Sequence, residues 1–374
     1  MSLFRVCVCS LLFSLVISCK KNSSPVPSPP LPPASSQVFL RGADLSFSPE
    51  IAASNTSFYE NNLATPVLNI MKDKGVNTVR LRLWNNPSTI HSSLQEVMLF
   101  AKQIKILGLK FWLDLHYSDT WADPGHQSKP AAWAPLSLAL LKDSVYQFTK
   151  TCLNFLIQNN AQPDYVQVGN EINVGFLWND GKLANLADPN WVNFADLLKQ
   201  GTRAIREVSP STKIILHLAG YDYALSYFQK LQTYSPDFDI IGLSYYPWWH
   251  GMSLDVLKQT LQTLNTSFNK PIVIAETAYP FTLQWNDWTN NLVGLSSQLM
   301  AGYDATSAGQ AKFLSDLKNL VRTSSTLDHS GVCYWAADYV AYKGSTATDG
   351  SPWENLALFD FQFKALPALD SLGK

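Results

Sequence analysis

Strand-like apolar runs alternate with helix-like runs from residue 38 onward, and this alternation constrains the fold more than any other feature of the sequence. Such a pattern is typical of a parallel sheet whose strands are joined by crossover helices. The predicted strands cover residues 38–45, 77–83, 110–116, 164–170, 212–218, 239–245, 271–276 and 331–336. The pattern predicts a single (β/α)₈ TIM barrel with enlarged loops at the carboxyl ends of the strands.

Helices are predicted between these strands, and four of them are long. They cover residues 92–107, 136–158, 191–208 and 307–322. A doubly wound open sheet is the alternative fold, and in that fold a glycine-rich phosphate-binding loop follows the first strand. No such loop follows the first predicted strand here, so the sequence gives no support to a nucleotide-binding function.

The N-terminus has the pattern of an export signal. Arg5 precedes an apolar stretch, residues 11–17, that is too short to span a bilayer. The segment Val16-Ile-Ser-Cys19 resembles the bacterial lipobox, which implies cleavage after residue 18 and lipidation of Cys19. Residues 1–18 are therefore predicted to be a lipoprotein signal peptide. Simple secretion, with Cys19 unmodified, is the alternative.

A spacer is predicted between the lipidated cysteine and the barrel. Residues 19–37 are rich in proline and serine, and such segments form extended linkers rather than packed structure. Residues 38–374 then form the barrel domain. We expect an exported, membrane-anchored lipoprotein, at the cell surface or on the periplasmic face of the outer membrane.

Charge and cysteine content narrow the kinds of partner. The chain has 28 Lys and Arg against 29 Asp and Glu, so no basic surface points to nucleic acid and a neutral substrate fits. Cys152 and Cys333 lie in apolar surroundings, and we predict two buried thiols rather than a disulfide. We expect the protein to be a monomer.

Two glutamates, Glu171 and Glu276, each lie at the end of a short apolar run. The carboxyl ends of the strands form the active-site floor of a TIM barrel, so the two side chains should face each other across a cleft. Retaining glycosidases use one carboxylic acid and one carboxylate, roughly 5 to 5.5 Å apart, for acid catalysis and nucleophilic attack. A structural ion pair with an inward-pointing arginine is the alternative for Glu276.

Residue parity within each strand predicts which side chains enter the barrel. Val79, Leu81 and Leu83 suit the helix layer, which leaves the polar and aromatic residues of the same strand pointing inward. The predicted inward set is Asp44, Arg80, Arg82, Trp84, Asp114, His116, His217, Ser244, Tyr246 and Trp335. Each alone has a structural explanation, but burying so many polar groups without a ligand would be costly. Together they predict a polar, aromatic binding floor.

Tryptophans are concentrated in the predicted rim loops, where flat apolar faces could stack on sugar rings. The rim set is Trp84, Trp121, Trp133, Trp178, Trp248, Trp249, Trp285, Trp288 and Trp353. Trp112 and Trp191 lie inside predicted elements and are expected to pack in the core.

Several strings in the sequence resemble glycoside hydrolase family 53. They are Gly42–Ser46, Gly75–Trp84, Asp114-Leu-His-Tyr-Ser-Asp-Thr-Trp-Ala-Asp-Pro124, Gly169-Asn-Glu171, Gly242–Pro247, Ala275-Glu-Thr277 and Trp353–Asp360. The resemblance covers residues 39 to about 368. It implies a retaining endo-β-1,4-galactanase that hydrolyses pectic galactan or arabinogalactan by double displacement.

The resemblance also implies roles for individual residues. Glu171 would be the general acid/base and Glu276 the nucleophile, and Asn170 would bind the 2-hydroxyl of the sugar. Arg80 and Tyr246 would hold Glu276 in place. His116 would line the same subsite, and Trp335 would form its platform. Trp84 and Asp44 are the other implied supporting residues.

The resemblance implies no cofactor for the chemistry, but some bacterial relatives hold a structural calcium ion after strand 7. The corresponding loop here offers Asn286, Asp287, Asn290 and Asn291 as oxygen donors. Two other functions remain open from the sequence. One is a retaining endoglycanase of the same clan that acts on xylan or mannan, and the other is a surface glycan-binding lipoprotein without turnover.

Overall fold

Eight parallel strands close into a barrel in the computed structural model, which describes residues 38–374. The strands are β1 (Leu40–Asp44), β2 (Thr78–Leu83), β3 (Lys110–Leu115), β4 (Tyr165–Val168), β5 (Lys213–Ala219), β6 (Ile240–Ser244), β7 (Ile272–Glu276) and β8 (Gly331–Tyr334). Each pairs with its chain neighbours, and β8 pairs with β1 to close the barrel. The predicted (β/α)₈ barrel is confirmed. The predicted signal peptide, Cys19 and the spacer lie outside the described residues.

Ten α-helices are described between and after the strands. They are α1 (Ser48–Ala53), α2 (Val67–Asp73), α3 (Leu94–Ile106), α4 (Leu138–Gln158), α5 (Trp191–Val208), α6 (Ala224–Gln232), α7 (Pro247–His250), α8 (Leu254–Phe268), α9 (Ser307–Ser324) and α10 (Ala368–Gly373). The four predicted long helices correspond to α3, α4, α5 and α9, with each boundary within two residues. Within residues 38–374, no helix has both the length and the apolar character needed to cross a membrane.

Serine and threonine caps fix where four of the longer helices begin. Ser93, Ser137, Ser253 and Thr306 precede α3, α4, α8 and α9, and each side chain accepts a hydrogen bond from the backbone N–H three residues later. Such caps satisfy a donor that the first helical turn leaves unpaired. The caps therefore end each preceding loop at a defined residue.

Alternation along the strands divides the apolar side chains between two cores. Val79, Leu81 and Leu83 of β2 belong to the large cluster between the sheet and the helices. A smaller cluster fills the barrel interior and consists of Leu40, Trp112, Tyr165, Ile215, Ile240, Val273, Ala275 and Cys333. The interior is therefore a packed floor, and polar side chains lie above it at the carboxyl end of the strands.

Both cysteines of the barrel are buried and unpaired. Cys152 lies in α4 and Cys333 in β8, and burial raises the pKa of both thiols. The prediction of two buried thiols is confirmed.

Candidate active site

A cleft of about 350 Å³ opens at the carboxyl end of the barrel strands. Its lining includes ten residues from the predicted site and the predicted inward set: Asp44, Arg80, Arg82, Asp114, His116, Asn170, Glu171, Tyr246, Glu276 and Trp335. Trp84 does not line the cleft but lies behind it, where its Nε1–H donates to His116 Nδ1 at 3.2 Å. The structure therefore brings the predicted residues together, with Trp84 as a support of His116.

A larger apolar groove, of about 800 Å³, lies on the outside of the barrel against α1, α2 and α3. Glu96 is the one carboxylate among its described lining residues. A single carboxylate cannot provide the acid and nucleophile pair of a glycosidase. The smaller cleft is therefore the candidate active site.

A β-bulge places Glu276 inside the barrel. Ile272 and Ile274 of β7 pack in the outer core, and strict alternation would send Glu276 to the same side. Leu243 pairs with Ile274 but Ser244 pairs with Glu276, so one extra residue interrupts the ladder. Because a bulge reverses the alternation that follows it, the Glu276 side chain points into the cleft.

Two donors hold the Glu276 carboxylate. Arg80 Nη1 lies 3.0 Å from Oε1, and the Tyr246 hydroxyl donates to Oε2 at 3.0 Å. Tyr245, the neighbouring residue, instead packs in the outer core and donates to Gly251 O. Each oxygen of Glu276 therefore has a donor, which favours its ionised form.

Arg80 is the centre of a buried polar network and is 1% exposed. Its guanidinium has five close contacts with acceptors, of which four are hydrogen bonds and the one with Glu276 is an ion pair. The acceptors are Gln167 Oε1 at 3.3 Å, Asp44 Oδ2 at 2.9 Å, Glu276 Oε1 at 3.0 Å, Asp114 Oδ2 at 2.8 Å and Asn170 Oδ1 at 2.9 Å. The guanidinium also lies over Trp112 in the interior core, 5.5 Å from the ring centroid. One side chain thus joins β1, β3, β7 and the end of β4.

Glu171 lies on the opposite side of the cleft in a strained turn. Gly169 and Glu171 both have positive φ angles, of 79° and 47°. The left-handed region is easy for glycine but costs a residue with a Cβ about 1 kcal/mol. This turn ends β4 and aims the Glu171 side chain across the barrel, where Oε1 accepts from the Ser244 hydroxyl at 2.5 Å.

Both carboxyls have pKa values above that of an ordinary surface glutamate. Burial raises the pKa of Glu171 to about 7. Burial and the nearby negative charges of Glu171, Asp44 and Asp114 raise the pKa of Glu276, and Arg80 opposes that shift. Two interacting carboxyls titrate as a pair and hold one proton between their two ionisations. Arg80 and Tyr246 both contact Glu276, and these two contacts favour the negative charge of the pair on that residue.

His116 joins the polar floor to the aromatic wall. Its Nδ1 accepts from Trp84 Nε1–H and from the Ala122 N–H, each at 3.2 Å. Nε2–H is then left to donate to Asp114 Oδ2 at 3.0 Å. The ring is therefore fixed at the cleft edge in one tautomer.

Stacked side chains form one wall of the cleft. The Tyr339 and Phe47 rings stack with their centroids 3.6 Å apart, and the Arg82 guanidinium lies 4.2 Å from the ring centroids of both Phe47 and Trp121. Trp335 meets Trp353 edge to face at 4.4 Å. Trp121, Trp249 and Trp353 of the predicted rim set line the cleft, whereas Trp133 is buried. The cleft therefore presents flat apolar faces beside its polar floor.

Some residues of the site are not found by the sequence reasoning. Gln167 contacts Arg80 and Asn170 from within β4, and its signal is a polar residue inside an apolar strand. Phe47, Asp123 and Tyr339 also line the cleft. They lie in loops, where no periodicity predicts direction.

The loop after β7 has buried oxygen atoms that suit a cation. Asp287 Oδ2 and Glu354 Oε2 are buried and have no hydrogen-bond partner among the described residues, and neither have Asn291 Oδ1 and Asn355 Oδ1. The Asp287 N–H contacts Glu354 Oε1 at 3.4 Å, so the two carboxylates are neighbours. The Asn286 amide instead donates to Phe361 O. Calcium prefers such oxygen ligands, and the residues present fit it around Asp287 and Glu354.

Comparisons with known proteins give one consistent family. The family model described as Glycosyl hydrolase family 53 matches residues 40–372. The chain is 36% identical to an arabinogalactan endo-β-1,4-galactanase of Cellvibrio japonicus over 90% of each chain. It is also similar to the Ignisphaera aggregans GH53 catalytic domain, with a TM-score of 0.85, 39% identity and coverage of 93% of this chain and 98% of that one. A fungal β-1,4-galactanase structure gives a TM-score of 0.77 at 31% identity, over 90% and 99% of the two chains.

Replacing Arg80 should destabilise the fold as well as the site. Arg80→Met would leave Asp44, Asp114 and Glu276 buried without their cation, and breaking such a buried pair costs about 3–5 kcal/mol. Arg203→Met is the control, because Arg203 is 55% exposed and its ion pair with Glu207 lies on the surface of α5. That change should cost less than about 1 kcal/mol. Urea unfolding measures the free energy of unfolding of both variants. Equal losses in the two variants would contradict a central role for Arg80.

Proposed function

This chain belongs to glycosyl hydrolase family 53, and we propose that it is a retaining endo-β-1,4-galactanase acting as a monomer on pectic galactan or arabinogalactan. The observation that carries the proposal is the unequal environment of two carboxyls in one cleft. Glu276 contacts an arginine and a tyrosine, whereas Glu171 contacts a serine. Unequal environments are what assign acid and nucleophile in a glycosidase.

In the first step, the Glu276 carboxylate attacks the anomeric carbon. The bond between that carbon and the glycosidic oxygen breaks as Glu171 transfers its proton to the oxygen. The chain beyond the cut leaves as an alcohol, and the sugar remains as an ester on Glu276. Arg80 and Tyr246 hold Glu276 in place for this attack, as their contacts with both of its oxygens allow.

In the second step, Glu171 acts as the base. It takes a proton from water as the water oxygen attacks the same carbon and displaces Glu276. Two inversions give a product of retained configuration, and both glutamates return to their starting protonation states. Asn170 lines the cleft, is 6% exposed and is held by Arg80, and its amide is the group proposed to bind the 2-hydroxyl of the sugar.

The substrate assignment has two supports. The cleft combines a polar floor with the faces of Trp335, Trp121 and Trp353, which suits a neutral polysaccharide. The relative from Cellvibrio japonicus is an arabinogalactan endo-β-1,4-galactanase. An endo-galactanase of the same specificity is therefore the proposal for this chain.

A panel of polysaccharides tests the function. The protein truncated to begin near Gln37 is incubated with linear β-1,4-galactan, xylan and mannan, and the products are followed by chromatography. Early release of mixed oligosaccharides from galactan is expected. Cleavage of xylan or mannan but not galactan would show that the proposed substrate is wrong. Binding of glycans without cleavage would show that the protein is a glycan-binding lipoprotein and not an enzyme.

Single substitutions test the two roles in the same assay. Glu276→Ala and Glu171→Ala should each reduce galactan cleavage by about a hundredfold or more. Glu207→Ala, on the exposed side of α5, should leave it unchanged. On a 2,4-dinitrophenyl β-galactobioside, whose leaving group needs no proton, added azide should restore turnover of Glu276→Ala as an α-glycosyl azide and of Glu171→Ala as a β-glycosyl azide. The reverse configurations would exchange the two roles.

We also propose that the loop after β7 holds a structural calcium ion, with Asp287 and Glu354 as its carboxylate ligands. The support is their unpaired buried oxygens, and burial together with Asp287 raises the pKa of Glu354 to about 7 in the absence of a cation. A bound ion would tie the β7 loop to the loop after β8.

Removing calcium should destabilise the folded protein. EDTA is expected to lower the melting temperature by about 5 °C and added calcium to restore it, because a ligand bound only to the native state stabilises that state. Asp287→Asn should abolish the response, whereas Asp349→Asn, exposed in the same region, should retain it. A melting temperature indifferent to EDTA would exclude the ion.

Finally, we propose that the mature protein is exported and tethered to a membrane through a lipid on Cys19. The support is the lipobox-like sequence Val16-Ile-Ser-Cys19. Cells fed labelled palmitate should incorporate the label into the wild-type protein but not into Cys19→Ala. Equal labelling of the two would place the lipid elsewhere, and no labelling of either would favour simple secretion.

A further inference from the structure

Behind Glu171, three polar side chains form a buried chain of hydrogen bonds that the reaction above does not use. The Ser244 hydroxyl lies 2.5 Å from Glu171 Oε1 and 2.9 Å from His217 Nε2. His217 Nδ1 lies 3.1 Å from Gln167 Nε2. Ser244, His217 and Gln167 are all fully buried. Burying three polar groups in a barrel interior is costly unless each is paired.

Counting hydrogens fixes the direction of this chain when Glu171 is ionised. A carboxylate only accepts, so Ser244 donates its one hydrogen to Glu171. The serine oxygen must then accept from His217 Nε2–H. His217 is neutral, because burial and the charge of Arg80 lower its pKa well below 6.5.

The other ring nitrogen is then an acceptor. His217 Nδ1 carries no hydrogen in this tautomer and accepts from the Gln167 amide. Asn170 Oδ1 also lies 2.9 Å from this nitrogen and can only accept, so when Glu171 is protonated the reversed chain, with Nδ1–H donating to Asn170, is satisfied as well. This chain of hydrogen bonds, the relay, joins Gln167, His217, Ser244 and Glu171 in either direction.

The two oxygens of Glu171 are consequently not equivalent. Oε1 is engaged by Ser244, whereas Oε2 has no hydrogen-bond partner within residues 38–374 and is not fully enclosed. Ser244 occupies Oε1 whichever way the chain of hydrogen bonds runs. Only Oε2 is therefore free to face a glycosidic oxygen in the cleft.

We propose that Ser244 and His217 are positioning residues for the general acid, which hold Glu171 through Oε1 and leave Oε2 to pass the catalytic proton to the glycosidic oxygen. Neither residue touches the sugar; both act through Glu171. The inference rests on the proposed glycosidase function and on Glu171 as its acid. It adds to that function the device that presents the proton to the glycosidic oxygen.

Other groups also face Glu171, and they set its titration together with the relay. The charged and titratable groups around it are Asp123, Arg80, Asp114, Glu276 and Tyr246. Ser244→Ala leaves all of them in place. A change in the titration of Glu171 in that variant therefore reports the loss of the serine hydrogen bond.

Kinetics with two leaving groups separate a positioning role from a structural one. Ser244→Ala should lower kcat/KM about tenfold or more on galactan, whose alkoxide leaving group needs a proton. It should change kcat/KM less than about twofold on a 2,4-dinitrophenyl β-galactobioside, whose leaving group needs none. His217→Phe should follow Ser244→Ala, and Ser244→Thr, which keeps the hydroxyl, should restore activity on galactan. Equal losses on both substrates would overturn the proposal.

Ser330→Ala is the matched control for these variants. Ser330 is also a fully buried serine, but it precedes β8, and its hydroxyl contacts Ser325 and the Ile272 N–H instead of the cleft. Its kcat/KM should equal that of the wild type on both substrates. A loss in Ser330→Ala as large as that in Ser244→Ala would overturn the proposal, since any buried serine would then have the same effect.

Titration of Glu171 tests the relay without any substrate. Infrared difference spectra against Glu171→Gln follow the carboxyl directly, and the loss of a hydrogen bond to the ionised form should raise the pKa of Glu171 by about one unit in Ser244→Ala. The basic limb of the activity profile should move upward with it. An unchanged carboxyl titration would overturn the relay even if the protein cleaved galactan. A raised one would support the relay even if galactan were not the substrate.

Discussion

A single buried guanidinium is the interaction on which the rest of the cleft depends. Arg80 contacts acceptors from β1, β3, β4 and β7 and the segment after β4, through four hydrogen bonds and an ion pair with Glu276. Desolvating one cation and three carboxyls is expensive, and the close contacts between them offset that cost. The position of each strand end is therefore tied to the others through one side chain, and Trp112 supports that side chain from below.

The parts of this architecture that follow from alternation could be predicted from the sequence. Val79, Leu81 and Leu83 point to the helices and Arg80 into the barrel because consecutive strand residues face opposite ways. The same parity favours Tyr246 over Tyr245 as the tyrosine of the cleft, and the structure gives Tyr246 the contact with Glu276. Strand order required no more than the rule that successive strands of a TIM barrel are neighbours.

Other parts depend on contacts that no local pattern contains. Glu276 shares its parity with Ile272 and Ile274, and only the bulge in the ladder with β6 turns it inward. Tyr339 and Phe47 lie almost 300 residues apart in the chain and stack at 3.6 Å, so neither position signals the other. Loop residues acquire direction from tertiary packing, and the sequence alone therefore did not predict Phe47 and Tyr339 in the wall of the cleft.

The two glutamates differ because different strands reach them. β2 extends its arginine across the interior to the end of β7, so one carboxyl has a permanent cation beside it. β6 offers the other carboxyl only a neutral hydroxyl, and the strained turn at Glu171 holds it there away from a direct contact with Arg80. A cation stabilises negative charge far more than a hydroxyl does at the same depth of burial. The barrel geometry therefore favours the negative charge of the pair on Glu276 before any substrate binds.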